Sequence, residues 1–307
     1  MSKYDPKKDI PDISGKVILI TGGTAGLGEK TVLTLAAHSP AHILFTGRSA
    51  SRAETLTRNL KSQFPAVTST FIPLDLASLS SIQTGSRQIL ALLSKLDILI
   101  CNAGIMAVPP SLTKDGYEIQ FGTNFLGHAL LIKLLLPLML TTAKLPGADV
   151  RIVFLTSEGY AGHPLGGILF KDLKTNQNNL RVLGPWQRYA QSKLAMILYA
   201  RELAKRYGGQ GILAISVHPG VFNTGLVSGL SWGQRTFVTV TNAGKFGDEK
   251  DMANNTCWAA TSKREGIENG GFYTPVGVRG KKVRENENME LAGRLWEFTE
   301  KELASFT

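Results

Sequence analysis

Two cysteines in 307 residues, Cys101 and Cys257, are too few for a disulfide framework. That excludes a small stapled secreted scaffold and fits a reducing compartment. A run of membrane-spanning length is also missing. The most lipid-like stretch, 129–140, is interrupted by Lys133 and Pro137 and falls short of the ~20 apolar residues a bilayer needs. It reads as a buried helix. The first 12 residues are polar and charged, without the apolar centre of a signal peptide. No membrane span is expected, and the cytoplasm is the expected setting. Long blocks of like charge are absent as well. The net charge is +10, yet the basic residues are scattered, and their densest group (Lys281, Lys282, Arg284) is short. A solvated basic surface follows, with no nucleic-acid partner. No metal-ligand set stands out.

What the chain has is apolar material in a regular rhythm. Hydrophobic residues make up 43% and charged residues 19%, enough for a substantial core. Strand-like runs at 16–20, 42–46, 67–73, 96–101, 151–156 and 212–217 alternate with helical stretches at 28–37, 51–63, 80–93, 124–143 and 185–207. Continuous apolar strands joined through helices predict an α/β fold, a Rossmann-type doubly wound parallel sheet with helices on both faces. No linker or internal repeat divides it, so one domain over 1–307 is expected. Two segments, 163–184 and 225–248, break the rhythm. Irregular segments of that length in an α/β protein are commonly lids or substrate loops.

After the first strand comes Thr21-Gly22-Gly23-Thr24-Ala25-Gly26-Leu27-Gly28, then a helix. Glycines permit the tight turn and let backbone N–H groups approach a pyrophosphate at the helix N-terminus. The second strand ends Thr46-Gly47-Arg48-Ser49, with no carboxylate. An Asp or Glu at that place binds the free ribose of NAD, whereas an arginine suits the 2′-phosphate of NADP. Arg48 therefore points to NADP(H), and Arg52 lies one turn further on. Asp75, after the third strand, either accepts from an adenine amino group or caps the next turn. Asn102-Ala103-Gly104 follows the fourth strand, at the carboxyl end of the sheet where ligands collect.

Three further features converge on carbonyl chemistry. Ser157 lies just past a strand, Tyr189 and Lys193 share a helix face, and Asn124 opens the long apolar helix. Each has a plainer alternative: a turn serine, a packed ring beside a solvated amine, a helix cap. Together they suit proton transfer. A phenol titrates near ~10, and a neighbouring ammonium lowers that value. Tyr189 would serve as general acid in reduction and general base in oxidation. Ser157 would orient the carbonyl, and Asn124 would hold the lysine directly or through water.

The order of these pieces resembles the short-chain dehydrogenase/reductase family, over about 14–275. The stretches LDLAS (74–78), TNFLGHAL (123–130) and HPGV (218–221) are similar to its retinol dehydrogenase-like branch, and LWEFTEKEL (295–303) to fungal members. The resemblance implies a catalytic tetrad of Asn124, Ser157, Tyr189 and Lys193. It implies Gly22, Thr24, Gly26, Leu27 and Gly28 at the pyrophosphate, Arg48 as the NADP-selecting residue, and Asp75 and Leu76 at the adenine. Asn102 and Gly104 would line the cofactor channel, and Lys193 would also hold the nicotinamide ribose. Pro219, Gly220, Val221 and Thr224 would fix the carboxamide. Cys101 departs from the family, which often has a second Asn there.

The function expected is an NADP(H)-dependent oxidoreductase acting on a carbonyl or alcohol. A non-redox enzyme on the same scaffold (cyclase, dehydratase or isomerase) and an NADP(H)-binding regulatory protein are the alternatives. Trp186, Phe222, Leu226, Leu230, Trp232 and Phe237 suggest an apolar or aromatic substrate, or else lid packing. Loops 158–188 and 225–248 would select it. In the family the helices bearing Asn124 and Tyr189 often form a homodimer. Leu134, Leu135, Leu136 and Leu138 would supply its surface, or else face the core.

Overall fold

Along β1 (Val17–Ile20) successive side chains enter opposite layers. Val17 and Leu19 join one apolar cluster, Ile18 and Ile20 the other. All four are buried, as a strand covered on both faces requires. The computed structural model describes residues 4–180, 183–222, 230–241, 244 and 246–306. After β1 come α1 (Gly26–Ala36), β2 (His42–Gly47), α2 (Ala50–Gln63), β3 (Thr68–Pro73), α3 (Leu79–Leu92) and β4 (Ile98–Cys101). Then follow α4 (the helical run Ile119–Thr142), β5 (Val150–Leu155), α5 (Gly184–Tyr207) and β6 (Ile212–Val217). The remainder holds α6 (Trp232–Thr241), α7 (Asn254–Thr261), β7 (Phe272–Thr274), β8 (Val278–Arg279) and α8 (Met289–Glu302).

The eight strands form one sheet in the order β3-β2-β1-β4-β5-β6-β7-β8. Helices α1, α2 and α7 pack on one face, and α3, α4, α5 and α8 on the other. This is the expected Rossmann-type α/β fold with one correction. The sheet is parallel as far as β7, but β8 runs antiparallel at its edge. The short link between β7 and β8 carries Gly277 at φ +69°, and only antiparallel neighbours can be joined so tightly.

A second correction concerns α4. It begins at Ile119, where the Glu118 carboxylate accepts from Phe121 N at 2.7 Å, so Asn124 does not open it. Residues Gly122–Leu126 form a π-helical turn, and Asn124 lies inside that bulge. Such turns occur often at functional sites, because they release a backbone carbonyl from the ladder. The helix continues through Lys133 and Pro137. By length and composition it could therefore cross a membrane, although 67% of its most apolar window is buried inside the protein. Leu135 points into the core and Leu136 is buried beside a groove under α8, while Leu134 and Leu138 are partly buried against the core.

Helix α8 covers α5. Trp296 stacks on Tyr199 at 5.1 Å between ring centroids, and the Arg206 guanidinium lies 4.4 Å from the Trp296 ring. Phe298 reaches Phe121 and Phe170. Every residue of α5 from Arg188 to Leu203 is buried, polar ones included. Of the two helices expected to meet a second copy, α5 is covered by α8, while α4 keeps Leu134 and Leu138 only partly buried.

Candidate active site

The connections leaving β1 and β4 diverge to opposite faces, so a crevice opens at the carboxyl ends of these neighbouring strands. The glycine loop forms one lip. Gly22 (φ +64°) and Gly26 (φ +55°) adopt left-handed conformations that side chains disfavour. A Cβ on Gly28 would lie 2.2 Å from the Gly22 carbonyl oxygen. Helix α1 starts there, and its N-cap, Ala25, supplies no side-chain acceptor for the first-turn N–H groups. Thr24 packs on Gly47, and Leu27 is half-buried. Arg48 is exposed immediately after β2, with Ser49 capping α2 and Arg52 in its first turn.

The Asp75 carboxylate accepts from Ala77 N at 3.1 Å, closing the turn after β3. The Leu76 side chain is buried in the core. Asn102 braces the glycine loop by donating from Nδ2 to the Thr21 and Gly22 carbonyls (2.7 and 3.3 Å). Pro219, Gly220 (φ +107°) and Val221 follow β6 and are half-buried. Thr224 and Leu226 lie outside the described residues.

Asn124, Ser157, Tyr189 and Lys193 meet around Gly104 and Gly159. A Cβ on Gly104 would sit 3.2 Å from Asn124 Oδ1 and 3.5 Å from Lys193 Nζ. A Cβ on Gly159 would sit 3.1 Å from Ser157 Oγ and 3.7 Å from the Tyr189 ring. The Ser157 hydroxyl lies beside Tyr189, close enough to favour its phenolate, and accepts from Gly159 N at 3.0 Å. Lys193 Nζ lies 5.7 Å from the Tyr189 ring centroid and donates to the Leu155 carbonyl at 2.7 Å. Asn124 does not hold the lysine directly. Its side chain exchanges two hydrogen bonds with the Ile105 backbone and donates to Ser192 Oγ.

Burial dominates the electrostatics here. It pushes the Tyr189 phenol up to about 12, with the Ser157 hydroxyl opposing. It pulls the Lys193 ammonium down to about 7, with Cys101 opposing. Burial thus outweighs whatever the ammonium contributes, and the phenol stands above its ordinary value rather than below it as expected. Cys101 ends β4 inside the core, and burial raises its thiol.

One network was not read from the sequence. His128 Nδ1 faces the Asn124 carbonyl at 2.8 Å, and Nε2 faces Thr21 Oγ1 at 2.8 Å. A carbonyl can only accept, so Nδ1 carries the proton and Nε2 accepts from the Thr21 hydroxyl. Thr21 Oγ1 accepts in turn from Asn102 N and Ala103 N. The π-turn, the glycine loop and the β4 end are thereby joined through one imidazole. The available signal was a histidine four residues after Asn124 in an otherwise apolar helix.

Beside this centre Met106, Ala107, Trp186, Val221, Leu230 and Val238 form a separate apolar cluster. Trp186 and Leu230 thus pack together, as either a pocket wall or lid packing requires. Phe222 is buried under Gly220 and Gly247, whereas Trp232 is 84% exposed and faces away. A distinct groove of about 270 Å³ between α4, α5 and α8 is remote from Tyr189.

The sequence profile of the short chain dehydrogenase family matches residues 16–164. Short-chain dehydrogenase/reductase drtF of Aspergillus calidoustus is 35% identical over 305 residues, covering 96% of this chain and 95% of its own. The chain is a short-chain dehydrogenase/reductase. Human retinol dehydrogenase 13 is 37% identical over 70% of this chain and 61% of its own, which supports the retinol dehydrogenase-like branch. A solved structure of a putative uncharacterized protein from Mycobacterium paratuberculosis superposes with TM-score 0.75 at 29% identity, covering 98% and 97% of the two chains. A blue fluorescent protein from a metagenomic library, solved in complex with NADPH, gives 0.68 at 25% identity, covering 87% and 98%.

As a short-chain dehydrogenase/reductase the protein is an oxidoreductase that works with a nicotinamide cofactor on a small molecule. The crevice fits such a dinucleotide. Gly28 leaves no room for a side chain between α1 and the loop, and the first turn of α1 presents N–H groups without a capping side chain.

Proposed function

We propose that this chain is an NADP(H)-dependent carbonyl reductase, or the reverse alcohol dehydrogenase, with Tyr189 as the general acid/base. The observation that carries the reading is the meeting of Tyr189, Ser157, Lys193 and Asn124 beside Gly104 at the carboxyl edge of the sheet. When bound, the cofactor supplies the hydride. Arg48 would meet the 2′-phosphate, and α1 with Gly22, Thr24, Gly26, Leu27 and Gly28 the pyrophosphate. Asn102, Gly104 and the 219–221 turn would line the channel towards Lys193, with Thr224 expected to join them. The Asp75 and Leu76 backbone would border the adenine.

The residues then divide the work. Ser157 donates to the carbonyl oxygen and fixes its direction. Burial keeps Tyr189 protonated near neutrality, so its hydroxyl is a ready proton donor to the forming alkoxide. As the proton leaves, a cationic Lys193 stabilises the phenolate. Asn124 holds the Ile105 strap and Ser192 in place around them. Apolar side chains from Met106, Trp186, Val221 and Leu230 suit an apolar or aromatic substrate. The two buried free thiols suit a reducing, cytoplasmic setting. We read residues 1–307 as one domain.

The test is the fall in NADPH absorbance on mixing with a panel of ketones and aldehydes. Turnover is expected with the wild type and a loss of about 10²–10⁴-fold with Tyr189→Phe. NADPH binding with no oxidation of it across a broad panel would overturn the reading. Arg48 carries its own arm. NADPH should be preferred over NADH at least tenfold in kcat/KM, and Arg48→Asp should remove that preference. An NADH preference in the wild type would sink the cofactor assignment.

A further inference from the structure

Immediately before Tyr189 lies an arginine that no solvent reaches. The Arg188 side chain is 1% exposed, and beside it Glu118 is fully buried, with Arg188 Nε 3.5 Å from Glu118 Oε1. Buried charges are rare, because desolvation must be offset by pairing and hydrogen bonds. Here the pair sits where four segments converge. Arg188 directs its two terminal nitrogens at the carbonyls of Val108 and Gln177, each at 3.4 Å. Val108 belongs to the loop after β4, and Gln177 to the segment between β5 and α5. The second oxygen of Glu118 caps α4 at Phe121 N.

Shorter hydrogen bonds repeat the pattern around the pair. Gln120 accepts from Ala107 N at 2.8 Å and donates to the Pro185 carbonyl at 2.9 Å. Gln191 accepts from Leu169 N at 2.8 Å and donates to the Gln177 side chain at 3.2 Å. Of the segments held this way, 105–108 borders the Tyr189 centre. Ile105 bonds Asn124, and Ala107 and Trp186 form the apolar wall. Ala107 also receives Gln234 of α6 through its carbonyl oxygen. Moving the 105–108 strap therefore moves the wall that α6 rests upon.

We propose that Arg188 and Glu118 are positioning residues that fasten the 105–108 and 169–177 segments to the first turns of α4 and α5, and thereby set the shape of the substrate pocket. They touch no reacting atom. Their action on substrate choice rests on the carbonyl reductase reading given above. Neither is among the residues proposed above to hold the cofactor.

The test compares full-length wild type, Arg188→Met and the double variant Glu118→Gln/Arg188→Met. Arg188→Met alone strands a buried carboxylate, and its Tm should drop by about 5 °C or more. The double variant removes both charges, keeps the Phe121 cap and should recover most of that loss. Two readouts then bear on the proposal in the folded double variant. Amide hydrogen exchange across 105–108 and 169–177 should quicken at least tenfold, while exchange in β4, β5 and β6 stays unchanged. The KM for a bulky probe, 9,10-phenanthrenequinone, should rise about tenfold. The kcat for a small probe, cyclohexanone, and the Kd for NADPH should stay within about threefold of wild type.

Unchanged exchange in both segments would overturn the fastening role. Equal losses for the large and small probes would overturn the pocket-shaping role, since a purely structural defect lowers both alike. If the wild type turns over neither probe nor any other carbonyl, the reductase reading fails together with the pocket-shaping role. The fastening is still decided by exchange.

Discussion

Acidification should destabilise this protein through His128 and His218. Burial pulls each imidazole down to about 4 from its ordinary 6.5. The unfolded chain therefore binds protons between those values that the native state refuses. Stability is then fully present above about 6.5 and is lost as pH falls towards 4. From pH 7 to 5 each histidine passes through about 1.5 units of that window, or ~2 kcal/mol per residue. Together that is ~4 kcal/mol, a large share of the ~5–15 kcal/mol of a typical native protein. Glu118 works in the opposite sense, because burial raises its carboxyl and the folded state gains a proton first. A variant comparison removes that background. His128→Gln keeps a donor for the Asn124 carbonyl and an acceptor for the Thr21 hydroxyl, yet cannot titrate. Urea unfolding at pH 7 and pH 5 should show wild type losing ~2 kcal/mol more than His128→Gln. A difference between the two proteins that does not change with pH would refute the buried neutral imidazole.

Other consequences can be checked together. Lys193, pulled down to about 7, should lose its proton as pH rises through neutrality. The kcat/KM for carbonyl reduction should accordingly fall above about pH 7, and Lys193→Met should abolish that limb; a flat profile to pH 9 would contradict it. Gly28→Ala puts a Cβ 2.2 Å from the Gly22 oxygen, so the loop must give way. Overpacking of this kind costs about 1–3 kcal/mol, so NADPH affinity measured by fluorescence titration should drop about tenfold or more. Because α8 covers α5, light scattering should give the mass of one chain. A dimer that cross-links through α5 would contradict that.

Much of the fold was legible because the central strands are short, apolar and β-branched, and each is followed by a helix. The edges were not. β7 and β8 are too short to show a period, and β8 turns back on a three-residue link that the parallel rhythm hid. Asn124 was misplaced because the long apolar run begins near it. The real start is set upstream by the Glu118 cap, a signal inside a less apolar stretch. The site was legible through the order of its pieces: a glycine loop, Asn102, Asn124, Ser157, then Tyr189 and Lys193. The helpers were illegible. His128, Thr21, Arg188 and Gln191 act through partners distant in sequence, and only the folded chain brings those partners together. The depressed lysine and raised phenol were equally out of reach, since burial rather than spacing sets them.

The most direct test follows the hydride itself. NADPH carrying deuterium at the transferred C4 position is incubated with the enzyme and cyclohexanone, whose alcohol keeps the transferred atom on carbon, and the product is examined by mass spectrometry. One deuterium should appear on the former carbonyl carbon with the wild type, and Tyr189→Phe should form the same product at least a hundredfold more slowly. Product without deuterium, or an undiminished rate in Tyr189→Phe, would contradict the account.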